Sequence, residues 1–566
     1  MKSHWQIAKK ITQEFQNKFP EVNPIVLQLL YNRGLTEQEK IDEFLNPDYG
    51  QDIHDPFLFT DMKKAVVRIL KAIKNKEKIT VHGDYDADGV SATVVMITTL
   101  KKLGANVDVY IPHRVSEGYG LNMNTVDELE KNGTNLIVTV DCGISSYDEV
   151  DYAAEKNIEV IITDHHEQPP KIPKAYAVIN PHVEKEKYPF HELAGVGVAF
   201  KLVQGLVMED KGNKLKAGFE KWLLDIVALG TIADCVPLVG ENRTLVKYGL
   251  VVLRKTKRVG LRTMIESSRF NLASLDTQSV SFGIAPRINA AGRIDHANTA
   301  YELIMTENEK SAIKISGDLE KTNQQRQKIT EKITNSSIEQ IGQVKDQKIL
   351  FTSGEDWQVG VVGLVAGRLS DKFSRPVIVM GMKGDDIVGS GRSIPGFDIT
   401  RALIESKEYL EKYGGHAAAC GFSLKKNNYE KFLEKMSSIA SEKISDKDLI
   451  KSHKIDTEVK IENINWELVD KLNNFEPFGE GNSQPKFVSY GLEVNDLQKV
   501  GNEGKHLRIV VEKNGCQKKI IAFGFGQTIG NELMIGDIID IVYEISINEW
   551  NGNRELQLKL VDIHKK

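Results

Sequence analysis

The sequence predicts an α/β protein with a β-barrel at its end, and three observations carry that prediction. Between residues 78 and 180, short β-branched apolar runs alternate with helical patterns, as in a parallel sheet with both faces covered. A second alternation of this kind begins near residue 347, after a long polar stretch of helical composition. Residues 455–566 then change to strands separated by Gly and Asn turns. A chain of 566 residues is too long for one ordinary core and fits about three domains.

Taken in order, residues 1–50 read as a helical segment, with MKSHWQIAKKITQEF as an amphipathic helix and a Pro-rich exit around Pro47 and Pro56. Val66, Val67, Ile69, Leu70 and Ile73 recur at helical spacing and lead into a first strand at 79–81 (ITV). Further strands are predicted at 107–111 (VDVYI), 135–140 (NLIVTV), 159–163 (EVIIT) and 176–179 (YAVI), with helices at 124–131 and 147–156 between them. AGVGVAF at 194–200 opens a helix, and 222–236 (WLLDIVALGTIADCV) is an almost wholly apolar one. Residues 301–341 form a polar helix suited to bridging two domains. The second α/β unit holds KILFTS, WQVGVVGLVAGRL and RPVIVMGM, then two glycine-rich segments, GSGRS at 389–393 and GGHAAACGFS at 414–423. After a polar linker at 441–454 come five strands, at 487–492, 507–511, 518–523, 538–547 and 555–561, which make a small closed barrel of the OB type. The resulting division is 1–50, 51–300, 301–345, 346–445 and 455–566.

Composition excludes several function classes. Charged residues are 27% and hydrophobic ones 41%, ordinary for a soluble globular chain, and no apolar run is long enough to cross a bilayer. The N-terminus lacks a signal-peptide pattern. Cys142, Cys235, Cys420 and Cys516 are scattered, which argues against a disulfide framework or a thiolate zinc site and for a cytoplasmic protein. A net charge of −5 gives no global attraction to nucleic acid, so any polyanion site must be local, such as Lys505, Arg508, Lys518 and Lys519 on the barrel.

The chemistry concentrates where the first domain's strands end. His82, Asp84, Asp86 and Asp88 follow the first run, His113 and Arg114 the second, Asp141-Cys142-Gly143 the third, and Asp164-His165-His166-Glu167 the fourth. In parallel sheets, ligands gather outside the carboxyl ends of the strands. Carboxylates spaced every second residue repel one another unless cations sit among them: at an effective dielectric of ~20, changing the sign of one charge at ~4 Å turns about 4 kcal/mol of repulsion into attraction. A solvated acidic turn is the plain alternative. Asp84-x-Asp86-x-Asp88-Gly89 also matches the start of an EF-hand loop, but the twelfth position is Val95, not Glu, and a strand precedes it. Asp234, near the end of an apolar helix, needs a cation or a dense set of donors, or else caps a turn before Pro237. Arg287, Asn289 and Arg293 lie among small residues that would let a phosphate come close. Gly389–Ser393 reads as a backbone nest for a phosphate, with Arg392 adding charge, and Gly414-Gly415-His416 places an imidazole where a substrate backbone could approach.

HGDYDADG, VDCG, TDHH, IADCVPL, PRINAAGR and GGHAAACG together resemble the DHH phosphoesterases, and their order with a late barrel is similar to the RecJ-type exonucleases of that family. The resemblance runs from about residue 50 to the C-terminus. It implies a DHH domain, a connecting helix, a DHH-associated domain, two divalent ions (Mn2+ or Mg2+), and 5′→3′ degradation of single-stranded DNA in repair and recombination. Carried over, it implies His82, Asp86 and Asp141 around one ion and Asp88, Asp141, His165 and Asp234 around the other, with Asp141 bridging. Asp84 and His166 become close catalytic supports, His166 facing the scissile phosphate. Arg114, Arg287, Asn289, Ser390, Arg392 and His416 become substrate contacts. Gln358 departs from the pattern, since relatives often carry His there. A single-strand-binding protein and a RecQ-type helicase are implied partners of a monomer.

The ligand types fit metal-dependent phosphodiester hydrolysis with a water held between the ions as nucleophile. Three other readings stay open: cleavage of short oligonucleotides, cyclic dinucleotides or pyrophosphate; a non-catalytic nucleic-acid-binding scaffold; and a calcium-binding structural protein. A terminal barrel favours a polymeric substrate over the short ones.

Overall fold

The computed structural model describes residues 3–114, 116–550 and 553–566. The first domain is built on five parallel strands: β1 (Lys78–Gly83), β2 (Asn106–Tyr110), β3 (Leu136–Val140), β4 (Glu159–Thr163) and β5 (Ala177–Ile179). Their order is β2-β1-β3-β4-β5. The chain reverses its direction of growth between β1 and β3, so a crevice opens there at the carboxyl ends of the strands. Register fixes what lines it: Gly83 lies opposite Val140, and Val140 opposite Thr163. One residue further along each of these strands stands an aspartate: Asp84, Asp141 and Asp164.

Helix α1 (Ala87–Lys102) follows β1 and is buried over most of its length against α2 (Gly195–Glu209) and α3 (Leu224–Ala233). This explains why α3 reads as almost wholly apolar: it is an interior helix. Short α4 (Ala285–Ile294) leads to α5 (Glu309–Ile341), a 33-residue helix about 50 Å long at 1.5 Å per residue. Ala312 and Leu319 of α5 pack in the first domain's core, and Ile333 packs in the core of the second. The predicted single helix over 301–341 is therefore two. Asn298–Met305 stops at Thr306, and Asn308 restarts the chain as α5 by accepting from the Ser311 amide.

The second α/β unit has β6 (Leu350–Glu355), α6 (Val359–Phe373), β7 (Val377–Lys383), β8 (Asp386–Arg392), β9 (Lys412–His416) and β10 (Ala419–Lys425), with sheet order β9-β10-β8-β7-β6. GSGRS is not the phosphate nest its glycines suggested. Gly389–Arg392 belong to β8, paired antiparallel with β7 on one side and β10 on the other, so their amides serve the ladders. The barrel comprises β11 (Phe487–Val500), β12 (His506–Lys513), β13 (Cys516–Ala522), β14 (Ile538–Trp550) and β15 (Asn553–Lys565), and pairing of β11 with β14 closes it.

The N-terminus departs from its predicted amphipathic helix. His4–Ile7 is a strand paired parallel with Ser452–Ile455, and helix begins only at Gln13. Distant partners decide this: Trp5 stacks on His564 at 4.0 Å and donates its indole N–H to Asp562 Oδ2 at 2.6 Å. The segment predicted as a linker, 441–454, is ordered: a helix runs to Lys443, Asp446–Leu449 is a 3-10 turn, and the pairing strand starts at Ser452. Helices Pro24–Asn32 and Gln38–Leu45 bury Val26, Leu29, Leu30, Ile41 and Phe44 in a core shared with the barrel.

Candidate metal centre

Each predicted ligand reaches the crevice for a local reason. Asp86 caps α1, its Oδ1 accepting from the Asp88 and Gly89 amides. Asp88, in the first turn of α1, accepts from the Gly195 and Val196 amides at the start of α2, at 2.7 and 3.0 Å. One carboxylate thus serves two helix N-termini, where backbone dipoles favour negative charge. Asp141 follows β3 with φ +62°, a left-handed conformation costing a non-glycine residue roughly 1–2 kcal/mol. His165 Nε2 lies 3.2 Å from Asp141 Oδ1 and 3.6 Å from Asp234 Oδ2, the latter at the C-terminal end of α3.

Three groups of converging donors result: Asp84, Asp86 and Asp141; Asp88, His165 and Asp234; and Asp141, His165 and His166, the candidate ligand atoms of each lying within 4.8 Å of one another. His82 stands outside these groups. Its ring stacks on Tyr110, its Nδ1 faces Cys142 Sγ at 3.6 Å, and its Nε2 is buried with no protein partner among the described residues. Asp84 Oδ1 and Asp141 Oδ1 are likewise buried without a hydrogen-bond donor. Orphaned buried ligand atoms of this kind are costly unless something binds them.

Electrostatics point the same way. Burial, then the charge of Asp86, pushes the Asp88 carboxyl up to about 7. Asp84, Asp141 and Asp234 are raised as well, by burial first and by neighbouring carboxylates second. Burial pulls the His82 and His165 imidazoles down to about 4, leaving them in the neutral form that ligates metals. Carboxylates that repel one another beside neutral imidazoles suit a hard divalent ion such as Mn2+ or Mg2+.

Two residues without an assigned role in the sequence complete the site. Asp164 is fully buried; its Oδ1 accepts from the His165 and His166 amides and lies 2.7 Å from His166 Nδ1, while its Oδ2 accepts from Ile144 N. Burial alone would raise the Asp164 carboxyl, but the bond and charge of His166 bring it below its ordinary value. Burial likewise depresses His166, and Asp164 overcomes this to leave the imidazole above its ordinary value. Tyr119 turns its hydroxyl inward to donate to Asp141 O at 3.1 Å, 3.0 Å from His166 Nδ1. Asp164 was visible in the TDHH run, since a histidine ligand usually needs a carboxylate or carbonyl anchor. Tyr119 lies in a loop and has no comparable signal.

The predicted substrate residues divide. Arg287 Nε pairs with Glu320 Oε2 at 2.7 Å, and Asn289 Oδ1 accepts from the Ala87 amide at 2.8 Å, which latches α4 to the turn that carries Asp86 and Asp88. Arg114 lies over the Tyr85 ring at 4.9 Å. Arg392 Nη1 contacts Ser390 Oγ at 3.2 Å, while that hydroxyl donates to Cys420 O. His416 is exposed at the tip of the β9–β10 hairpin.

The DHH family, N-terminal domain, matches residues 78–231, the DHHA1 domain residues 346–442, and the RecJ OB domain residues 455–562. The single-stranded-DNA-specific exonuclease RecJ of Bacillus subtilis (strain 168) is 37% identical over 571 residues, an alignment spanning 99% of this chain and 71% of that relative. The chain belongs to the RecJ family. A crystal structure of RecJ in complex with Mn2+ from Thermus thermophilus superposes with a TM-score of 0.85 at 28% identity, covering 100% of this chain and 80% of that one. The Mg2+ complex of the same organism's RecJ gives 0.78 at 25% identity, covering 100% and 78%. RecJ-family membership accounts for the order of the units: metal-bearing sheet, bridging helix, second α/β domain, and barrel.

Proposed function

We propose that the chain is a divalent-metal-dependent exonuclease that hydrolyses the phosphodiester bonds of single-stranded DNA from the 5′ end, in repair and recombination. One observation carries the reading: Asp84, Asp86, Asp88, Asp141, His165 and Asp234 converge at the carboxyl ends of β1, β3 and β4, with orphaned ligand atoms on Asp84, Asp141 and the adjacent His82. His82, Asp86 and Asp141 would hold one ion, and Asp88, Asp141, His165 and Asp234 the other. Such a pair supplies Lewis-acid stabilisation of charge on the attacking and leaving oxygens and a water of lowered pKa.

The chain's own residues do the rest. Asp84 supports the ligands from the floor of the crevice. Asp164 engages His166 at Nδ1, which would leave Nε2 of the imidazolium to donate to a non-bridging phosphate oxygen. Arg114 and Arg287 of the first domain and Ser390, Arg392 and His416 of the second α/β unit would take the backbone or its 5′-phosphate, with Asn289 holding α4 in place. The division into 1–50, 51–300, 301–345, 346–445 and 455–566 assigns hydrolysis to the second unit and strand binding to the last. A monomer in the cytoplasm, working with a single-strand-binding protein and a RecQ-type helicase, fits this role. Short oligonucleotides or cyclic dinucleotides are the second reading, and the barrel favours the polymer.

Digestion of 5′-labelled and 3′-labelled single strands with Mn2+, Mg2+ or chelator tests the proposal. Mononucleotide release from the 5′ label first, abolished by chelator, is expected. A protein that cleaves only dinucleotides would overturn the polymer assignment.

A further inference from the structure

Phe282 leaves 82% of its surface in solvent, the largest fraction of any large apolar side chain among the described residues. It sits in a π-helical turn, Val280–Ile284, immediately before α4. Such turns are rare and frequently mark functional sites. The turn is built to turn this ring outward. A Cβ on Gly283 would lie 2.1 Å from Phe270 Cε2, so only glycine lets the turn settle on the Phe270 ring, and its neighbour Phe282 is left facing solvent. Arg287 closes the same turn: its Nη1 donates to Gly283 O at 2.6 Å and its Nε to Glu320 Oε2 at 2.7 Å. Nη2 of Arg287 has no acceptor among the described residues.

An exposed aromatic side chain therefore stands one residue from the carbonyl that Arg287 holds, and Arg287 keeps a spare donor nitrogen. At the other end of α4, Asn289 accepts from the Ala87 amide, and Gly292 lies against the Tyr85 carbonyl, both in the metal-bearing segment. Seven residues separate Phe282 from Asn289, about 10 Å along a helix axis at 1.5 Å per residue. We propose that Phe282 is a stacking platform for a base of the incoming single strand a short way from the metal centre, with Arg287 taking that nucleotide's phosphate. Every base has a π-face, so such a platform reads strandedness and not sequence; a paired base cannot reach it. The assignment rests on the nuclease reading above and deepens it by naming a residue that selects unpaired, extended substrates.

The test uses the full-length chain loaded with Mn2+. KM and kcat are measured for Phe282→Ala and Phe282→Trp on a long 5′-labelled single strand and on a dinucleotide, alongside the melting temperature. Aromatic–base stacks are worth about five- to a hundredfold in affinity, so Phe282→Ala should raise KM for the long strand by about tenfold. Its kcat, its dinucleotide turnover and its melting temperature should stay as in the wild type, and Phe282→Trp should restore KM. A 2-aminopurine base in the strand should lose its binding-dependent quenching in Phe282→Ala only. An unchanged KM and unchanged quenching in Phe282→Ala, with the wild type active on the long strand, overturns the platform and leaves the nuclease reading standing. A wild type that leaves the long strand intact while cleaving the dinucleotide removes the polymer reading, and the platform with it.

Discussion

Asp141 and His165 join the donor groups of this crevice, and Asp141 carries the left-handed backbone between them. Asp141 contributes to two of the three donor groups, faces His165 at 3.2 Å, and stands in a left-handed conformation that only its surroundings enforce. Asp141→Ala is expected to abolish hydrolysis while single-strand binding, measured by fluorescence anisotropy, is retained; residual turnover above background would contradict a bridging role. Asp164 acts one step further out, through His166. Asp164→Asn keeps the shape but removes the charge that sustains the imidazolium, so kcat should fall by about 10- to 100-fold with little change in KM, the usual range for such supporting partners. An unchanged kcat in Asp164→Asn would mean that the Asp164 charge does not act through His166.

Elements place these residues, and the tightest placement is where α2 begins. A Cβ at Gly195 would fall 2.2 Å from Asp141 Oδ1, while the Gly195 amide donates to Asp88. The first turn of α2 therefore approaches both candidate ion positions, and only glycine permits the approach. Gly195→Ala should leave the sheet folded but displace Asp141. Saturating Mn2+ stabilises a binding-competent protein by about 2.7 kcal/mol at a hundred times its Kd. That thermal shift, seen with the wild type and reversed by chelator, should vanish in Gly195→Ala; a wild-type shift in this variant would exclude steric control by α2.

At the scale of the whole molecule, one side chain ties the catalytic domain to the barrel half. Arg243 is 1% exposed, and its guanidinium donates to the carbonyls of Phe44, Asn474, Phe475 and Glu476 while lying over the Phe44 ring. Burial, then the like charge of Arg33, lowers its pKa to about 9, and the ring of carbonyl acceptors takes the place of water around the charge. Arg243→Met would strand those carbonyls, each unsatisfied group costing about 1–3 kcal/mol. The variant should melt at a lower temperature and release the barrel half to limited proteolysis, while dinucleotide turnover is retained. A protease-resistant variant with unchanged melting would mean that apolar packing alone docks the two halves.

The sequence by itself determined the alternation of strands and helices in the first domain, the five barrel strands, and the chemical kind of the crevice. These properties depend on local periodicity and on residue type at strand ends, which a linear reading contains. The tertiary structure alone decided the rest. His4–Ile7 became a strand because Ser452–Ile455 and His564 met it from far along the chain. GSGRS became a central strand because neighbours on both sides claimed its amides. Tyr119 and Phe282 gained their places through contacts or exposure that no spacing encodes. Periodicity reports which face of an element is buried; only the folded chain determines what that face is buried against.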